Sequence, residues 1–384
     1  MRSAVAGGEP TLGAAATPAQ QVVRRDLDFM CDALREELPY LSGKNLLITG
    51  GAGFLGYYLV QLALHWNRRS GGPPLRVTVL DSYVRGMPAW LEALRGDRAL
   101  TLVRHDVTAP LAESLGDFQY IVHAASIASP TYYRKFPIET MDANVNGLRA
   151  LLEYARQRLQ RGRPVAALLF LSSSEIYGDP TPEHVPTPET YRGNVSCTGP
   201  RACYDEAKRY GETLCVNFAR HVGVPVKVAR PFNNYGPGLK IADRRVLPDF
   251  ARDVLAGRDI VMLSDGTPRR TFCYVADAVI GYYKILVKGR PGEAYNIGAE
   301  APEVSIRELA ELVVAAARDL LGYGGRVVQQ AAPDGSYLTD NPTRRCPVIT
   351  KARTELGYNP AVSLREGLRR SLIWYTEHRE AHDG

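Results

Sequence analysis

From Lys44 onward, short apolar runs alternate with longer segments in which apolar residues recur every three or four positions. NLLITG (45–50), LRVTVLD (75–81), LTLVRHD (100–106), YIVHAA (120–125) and AALLFLSSS (166–174) read as strands, because short, nearly continuous apolar runs suit strands covered on both faces. Between them, FLGYYLVQLALHW (54–66) and NVNGLRALLEYARQRL (144–159) carry helical spacing. Strands interleaved with helices predict an α/β fold with a doubly wound parallel sheet of the Rossmann type. After PVKVAR (225–230) the texture changes to turn-rich PFNNYGPGL, a helix at 249–257, a strand at 259–264, and helices at 306–321 and 364–377. This pattern predicts a nucleotide-binding domain over 39–230 and a smaller, mostly helical substrate-binding lobe over 231–384. Ahead of both, Leu27, Met30, Cys31, Leu34 and Leu38 predict an extra helix over 22–38 that Pro39 would stop. Residues 1–21, rich in Ala, Gly and Pro, read as a flexible tail without the apolar stretch of a signal peptide.

Composition narrows this picture without deciding it. A chain of 384 residues with 45% hydrophobic content can bury a large core. The net charge of +6 is a small excess, and no basic run interleaved with aromatics occurs, so neither nucleic acid nor a membrane is an expected partner. Six cysteines without CxxC spacing point to reduced thiols and a cytoplasmic location. His378 and His382 lie four apart but in a polar terminal segment with no further ligand, so no metal is expected. Two loops exceed a simple connection: 179–199, with Pro180, Pro182, Pro186 and Pro188, and 331–347, with Asp334, Asp340, Arg344 and Arg345. Loops of that length are often functional, and both could reach the mouth of a site.

Two motifs carry chemistry. GGAGFLG places Gly50, Gly53 and Gly56 between an apolar strand and an apolar helix, so the bare helix amino end, with Phe54 and Leu55, can face a pyrophosphate. Asp81 ends the next strand, where its carboxylate can accept from ribose hydroxyls and repel a 2'-phosphate, which favours NAD over NADP. Asp106 and Val107 end the following strand and either flank an adenine or merely cap the strand; Ala124 would join them in the cofactor crevice. Tyr204 and Lys208 leave one face of a helix a turn apart. A cation held beside a phenol favours phenolate, which could take a proton from a sugar hydroxyl while a nicotinamide takes the hydride.

Taken with SSSEIYG (172–178) and RPFNNYGP (230–237), these motifs resemble the extended short-chain dehydrogenase/reductase family of nucleotide-sugar enzymes over residues 44–377. Within it the closer resemblance is to the enzymes that decarboxylate UDP-glucuronate. It rests on HAASIASPTYY (123–133), SSSEIYGDP (172–180), YRGNVSCTGPRACYDEAKR (191–209), DRRV (243–246), RRTFCYV (269–275) and RRCP (344–347). The resemblance implies that Tyr204 is the base and Lys208 its partner, both also touching NAD. Ser173 would bond the sugar 4-hydroxyl, with Ser174 beside it, Glu175 would be the active-site glutamate, and Arg345 would lie near the uronate carboxylate. Tyr133 and Asn194 would contact the substrate, and Asn233, Arg245 and Arg270 would hold the UDP moiety. The chain departs from that pattern at Arg192, Ser196, Arg244 and Val348, where Trp, Asn, Gly and Asp are usual, and two of these changes add positive charge.

The implied reaction is a redox-neutral decarboxylation: oxidation at carbon 4 makes the carboxylate at carbon 5 a β-keto acid, and a fixed cation such as Arg345 stabilises the enolate left by carbon dioxide. Glu175 would position or protonate the ring. A 4,6-dehydratase needs an acid where Ser174 stands, a 4-epimerase needs no glutamate, and a non-catalytic NAD or UDP-sugar binding protein needs none of these groups together. The resemblance also implies a homodimer built on the helices at 144–160 and 204–221.

Overall fold

Seven parallel strands form one sheet: β1 (Asn45–Thr49), β2 (Arg76–Asp81), β3 (Leu100–Arg104), β4 (Tyr120–His123), β5 (Ala167–Leu171), β6 (Val226–Pro231) and β7 (Ala294–Ile297), in the order β3-β2-β1-β4-β5-β6-β7. The computed structural model describes residues 15–111, 115–331 and 339–379. Residues 1–14 of the expected tail, Asp334 and His382 lie outside the described residues. Successive strand residues feed two different cores. Leu46, Ile48, Val77 and Val79 pack into one, and Leu47, Leu80, Ile121 and Phe170 into the other. Both faces are therefore dry, which is why the strands read as continuous apolar runs rather than alternating ones.

The boundary expected at residue 230 is crossed by the chain. The helix Val275–Lys288 packs on β5 and β6, and β7 pairs with β6, so the second half returns a helix and a strand to the sheet. Neither was legible in the sequence. Nearly every residue of VADAVIGYYKILVK is buried, and its polar face is only the narrow stripe of Asp277, Lys284 and Lys288.

The N-terminal helix is longer at its start than 22–38 predicts and stops sooner. It runs Pro18–Ala33 because Thr17 and Gln20 form a capping box ahead of Pro18; Leu38 falls instead in a short 3-10 turn, Leu38–Leu41. Its inner face buries Asp26 completely. That carboxylate accepts from the Tyr58 and Tyr274 hydroxyls at 2.5 Å each and from Arg370 Nη1 at 2.6 Å, joining four separate segments. Glu37, equally buried, takes Lys284 Nζ at 2.8 Å. The six cysteines are unpaired, and no described helix is long and apolar enough to cross a membrane. Replacing Asp26 with Ala leaves a buried guanidinium and two phenols without their acceptor, so chemical denaturation should show a loss of about 3–5 kcal/mol.

Candidate active site

The strand order reverses between β1 and β4, so the crevice beyond their carboxyl ends is where a doubly wound sheet admits a ligand. Gly50 leaves β1 with φ +70° and donates to Leu80 O at 2.8 Å. A Cβ there would lie 2.5 Å from Ala125 Cα, and one at Gly56 would lie 2.2 Å from Gly51 O. Only glycine fits either place. Gly53 caps the helix Phe54–Ser70 from extended backbone, is itself exposed, and leaves the first turn, with Phe54 and Leu55, open at the crevice mouth. That bare amino end fits a pyrophosphate.

Asp81 Oδ2 accepts from Ala52 N at 3.0 Å and Oδ1 from Tyr83 N at 2.8 Å, so the carboxylate braces the glycine turn as well as marking where a ribose would sit. Burial pushes it up, and those two amides pull it back. Ala124 follows β4 with its N–H on Thr49 O. Asp106 caps its strand through Thr108 N and Oγ1, which draws its carboxyl down, while Val107 packs against Gly147. The capping role is thus present, and the exposed outer side of Asp106 leaves room for the other.

Tyr204 and Lys208 project from the helix Ala202–Asn217 into the same crevice. Tyr204 is buried and its ring stacks on Tyr133 at 5.2 Å and 13°. The expected pairing differs in detail. Lys208 Nζ donates to Leu171 O at 2.7 Å and stands 5.6 Å from the Tyr204 ring centre. Burial pushes the phenol up to about 12, the Ser173 hydroxyl and the charge of Arg245 work against that, and Glu175 and Asp205 add to it. Burial also presses Lys208 down to about 7. The phenolate is therefore favoured here by Ser173 and Arg245, and the lysine is oriented by the strand carbonyl.

Ser173 caps the 3-10 turn Ser174–Tyr177 that follows β5, and this turn aims Glu175 across the crevice. Glu175 accepts from both Nη atoms of Arg345, one at 2.6 Å, and from Arg201 Nη2. Burial acts to raise its carboxyl, but the two guanidiniums outweigh burial and hold it well below the usual carboxylate range. Glu175 is thus a fixed carboxylate here, which corrects the expectation that it could protonate the ring. Arg345 lies in the two-residue strand Arg344–Arg345 beside Arg269–Arg270. Alternation along that strand sends Arg344 outward to Glu303 and Arg345 inward.

The arrangement matches a family. The sequence pattern of the NAD dependent epimerase/dehydratase family fits residues 46–298. The chain belongs to that family. A UDP-glucuronic acid decarboxylase of Arabidopsis thaliana is 38% identical over 327 residues, which cover 85% of this chain and 88% of that one. Among solved structures, a dTDP-glucose 4,6-dehydratase from Streptomyces venezuelae with NAD bound superposes with a TM-score of 0.74 at 28% identity, covering 87% of this chain and 98% of that one. A UDP-glucose 4-epimerase from Thermotoga maritima with UDP-glucose superposes at 0.73 and 26% identity, covering 88% and 100%.

Not every residue expected at the site of this epimerase/dehydratase family member is free to bind. Arg270 is buried, with its fork on the carbonyls of Arg269, Thr343 and Pro342, so it steadies the Arg345 strand instead of reaching outward; burial and the nearby charge of Arg345 press its guanidinium down. Asn233 Nδ2 donates to Thr271 O, and exposed Asn194 closes its own loop onto Asp179. Arg245 pairs with buried Asp243 at 2.9 Å yet stays part-exposed at the mouth. Ser174 is buried at the start of the turn that carries Glu175. Sequence reasoning gave no role to Arg201 and Asp205, which lie beside Glu175 and Tyr133. Their opposite charges four residues apart within GPRACYDEAKR were the available signal. No group of three or more metal-ligating side chains occurs among the described residues, and His378 stacks on Trp374 at 4.0 Å.

Two outcomes follow from this geometry. Gly50→Ala adds a side chain at positive φ against backbone, so NAD titration should show binding weakened roughly ten-fold or more. Ser173→Ala removes the hydrogen bond that favours phenolate at Tyr204. The rising limb of the kcat–pH profile should therefore move to higher pH, with roughly ten-fold or more loss at neutral pH, and the lost cap on the Glu175 turn should cost about 1 kcal/mol of stability.

Proposed function

We propose that this protein decarboxylates a UDP-hexuronate of the UDP-glucuronate type to the corresponding UDP-pentose, of the UDP-xylose type, without net redox change. One observation carries the reading. Three buried guanidiniums, Arg201, Arg270 and Arg345, surround one firmly ionised carboxylate beside Tyr204. Asp205, the other nearby acid, is pushed up to about 7 by burial and by Glu175, so near neutral pH it offsets only part of that charge. A neutral hexose would leave the excess cation unpaired; a uronate carboxylate supplies its counter-charge. The similarity to UDP-glucuronic acid decarboxylases supports the same substrate class.

Gly50, Gly53, Phe54, Leu55, Gly56, Asp81, Asp106, Val107, Ala124 and Lys208 would hold NAD, which would supply a reversible hydride acceptor at sugar carbon 4. Tyr204, as the phenolate that the Ser173 hydrogen bond favours, takes the proton of the 4-hydroxyl and becomes a phenol. Once carbon 4 is a ketone, the bond from carbon 5 to its carboxylate breaks, and the electron pair spreads into an enolate as carbon dioxide leaves. Arg345 holds the carboxylate before that step and its positive charge stabilises the enolate after it. A proton from solvent water entering the crevice then adds to carbon 5 of the enolate, hydride would return from the reduced cofactor to carbon 4, and Tyr204 gives back its proton to the 4-hydroxyl. Dehydration lacks its acid here, because Ser174 stands where a carboxyl is needed and Glu175 is held ionised.

A homodimer is part of the same proposal: Ile138, Met141 and Tyr210 are exposed on the packed helices Pro137–Gln160 and Ala202–Asn217, offering an apolar face to a second copy. A reducing, cytoplasmic setting suits six unpaired cysteines.

Incubation with UDP-glucuronate and a panel of other nucleotide sugars, read by mass spectrometry, should show loss of carbon dioxide from UDP-glucuronate. Loss of water, or an unchanged mass with an inverted 4-proton by NMR, would overturn the reading. Tyr204→Phe should lose about 10²–10⁴-fold in turnover, and Arg345→Ala should keep NAD bound while losing decarboxylation.

A further inference from the structure

We propose that Arg201, backed by Asp205, is a positioning residue for Glu175 that keeps this carboxylate in place while Arg345 turns its fork to the carboxylate of the substrate sugar. The inference rests on the decarboxylase reading above and assigns a role to the arginine of GPRACYDEAKR.

Arg345 spends both Nη atoms on Glu175. The end-on Nη fork is thereby taken while the buried Nε has no hydrogen-bond partner, so a uronate carboxylate that is to be held end-on by both Nη atoms needs one or both bonds to Glu175 released. Released with no other partner, Glu175 would be a desolvated carboxylate in a crevice, and such a group protonates or swings away. Arg201 prevents this. Its Nη2 is already on Glu175 Oε2, and that bond does not depend on Arg345.

The two arginines are also mounted differently. Arg201 immediately precedes the helix Ala202–Asn217, and its carbonyl accepts the N–H groups of Tyr204 and Asp205 at 3.0 Å each. Its guanidinium lies 5.9 Å from the centre of the Tyr133 ring, which stacks on Tyr204, and its Nε is 3.7 Å from Asp205 Oδ2. Arg201 thus moves with the base. Arg345 sits on the edge strand of a three-stranded sheet, paired there with Arg269–Arg270. The helix-mounted arginine is the fixed partner and the edge-strand arginine the one able to exchange. A positioned Glu175 then stays close to Tyr204 and the reacting ring through the cycle.

The charges facing Glu175 are Arg345 and Arg201 in contact, and Asp205, Tyr204, Tyr133 and Arg270 at longer range. Removing Arg201 takes away one of the two that hold it ionised when both arginines are home, and the one remaining when Arg345 has turned to substrate.

The test is a double-mutant cycle on full-length, NAD-loaded enzyme turning over UDP-glucuronate, with incubations long enough to quantify slow variants. Arg201→Met should lower kcat roughly ten-fold or more while KM changes less than about three-fold. Arg201→Lys should recover part of the loss. In a Glu175→Gln background, which has no carboxylate to hold, Arg201→Met should cost less than about three-fold in kcat. Equal losses in both backgrounds, or no recovery with Arg201→Lys, would overturn the proposal as a merely structural effect. If Arg201→Met loses NAD or fails to fold, Arg201→Lys replaces it in the same cycle under the same criteria. Wild-type enzyme that releases no carbon dioxide from UDP-glucuronate overturns the function beneath the inference; active wild type with additive losses overturns the inference alone.

Discussion

Ionised groups taken out of water must find counter-charge or hydrogen bonds inside the protein, and much of this molecule is arranged around that requirement. Asp26 collects two phenols and a guanidinium, and so ties the N-terminal helix to three distant segments. Glu37 does the same with Lys284. Glu212 takes the fork of Arg230 and the hydroxyl of Ser172, fixing the Tyr204 helix against the ends of β5 and β6. In each case the charges close on themselves. These networks specify which segments meet, whereas the apolar cores on either face of the sheet supply most of the driving force.

At the crevice the same requirement is left unfinished. Glu175 satisfies Arg345 and Arg201 only in part, Arg270 is steadied by carbonyls that carry no full charge, and Asp205 is pressed towards its neutral form. The residual positive charge lies within reach of a phenol that burial holds at about 12. A bound uronate would complete the first imbalance and the oxidising cofactor would act beside the second. Binding selectivity and chemistry thus draw on one electrostatic deficit, set where the two halves of the chain meet.

Legibility in the sequence followed how local each feature is. The six strands from β1 to β6 and the glycine turn were readable because their signals lie within a few residues: apolar runs, then Gly50, Gly53 and Gly56, then Asp81. The capping box of Thr17 and Gln20 is local too, but it lies inside the Ala-, Gly- and Pro-rich composition of the tail. In the helix Val275–Lys288 the polar stripe is narrow, and its packing on β5 and β6 is a tertiary contact that no local signal announces. Arg345 was placed near the uronate by resemblance; that it faces inward while Arg344 faces Glu303 depends on a parallel pairing with Arg269–Arg270 that no local signal announces.

By itself the sequence determined the doubly wound class, the nucleotide turn, and the presence of a tyrosine, a lysine, a glutamate and arginines of the right kinds. Those are properties of short stretches, set by backbone sterics and hydrophobic period. Tertiary structure alone decided which charges touch: that Lys208 answers to the Leu171 carbonyl, that Glu175 is clamped between Arg201 and Arg345, and that Arg270 is turned inward. The physical reason is that electrostatic energy depends on distance and burial in three dimensions. Residues 170 positions apart in sequence, as Glu175 and Arg345 are, acquire their chemistry only when the fold brings them together in low dielectric.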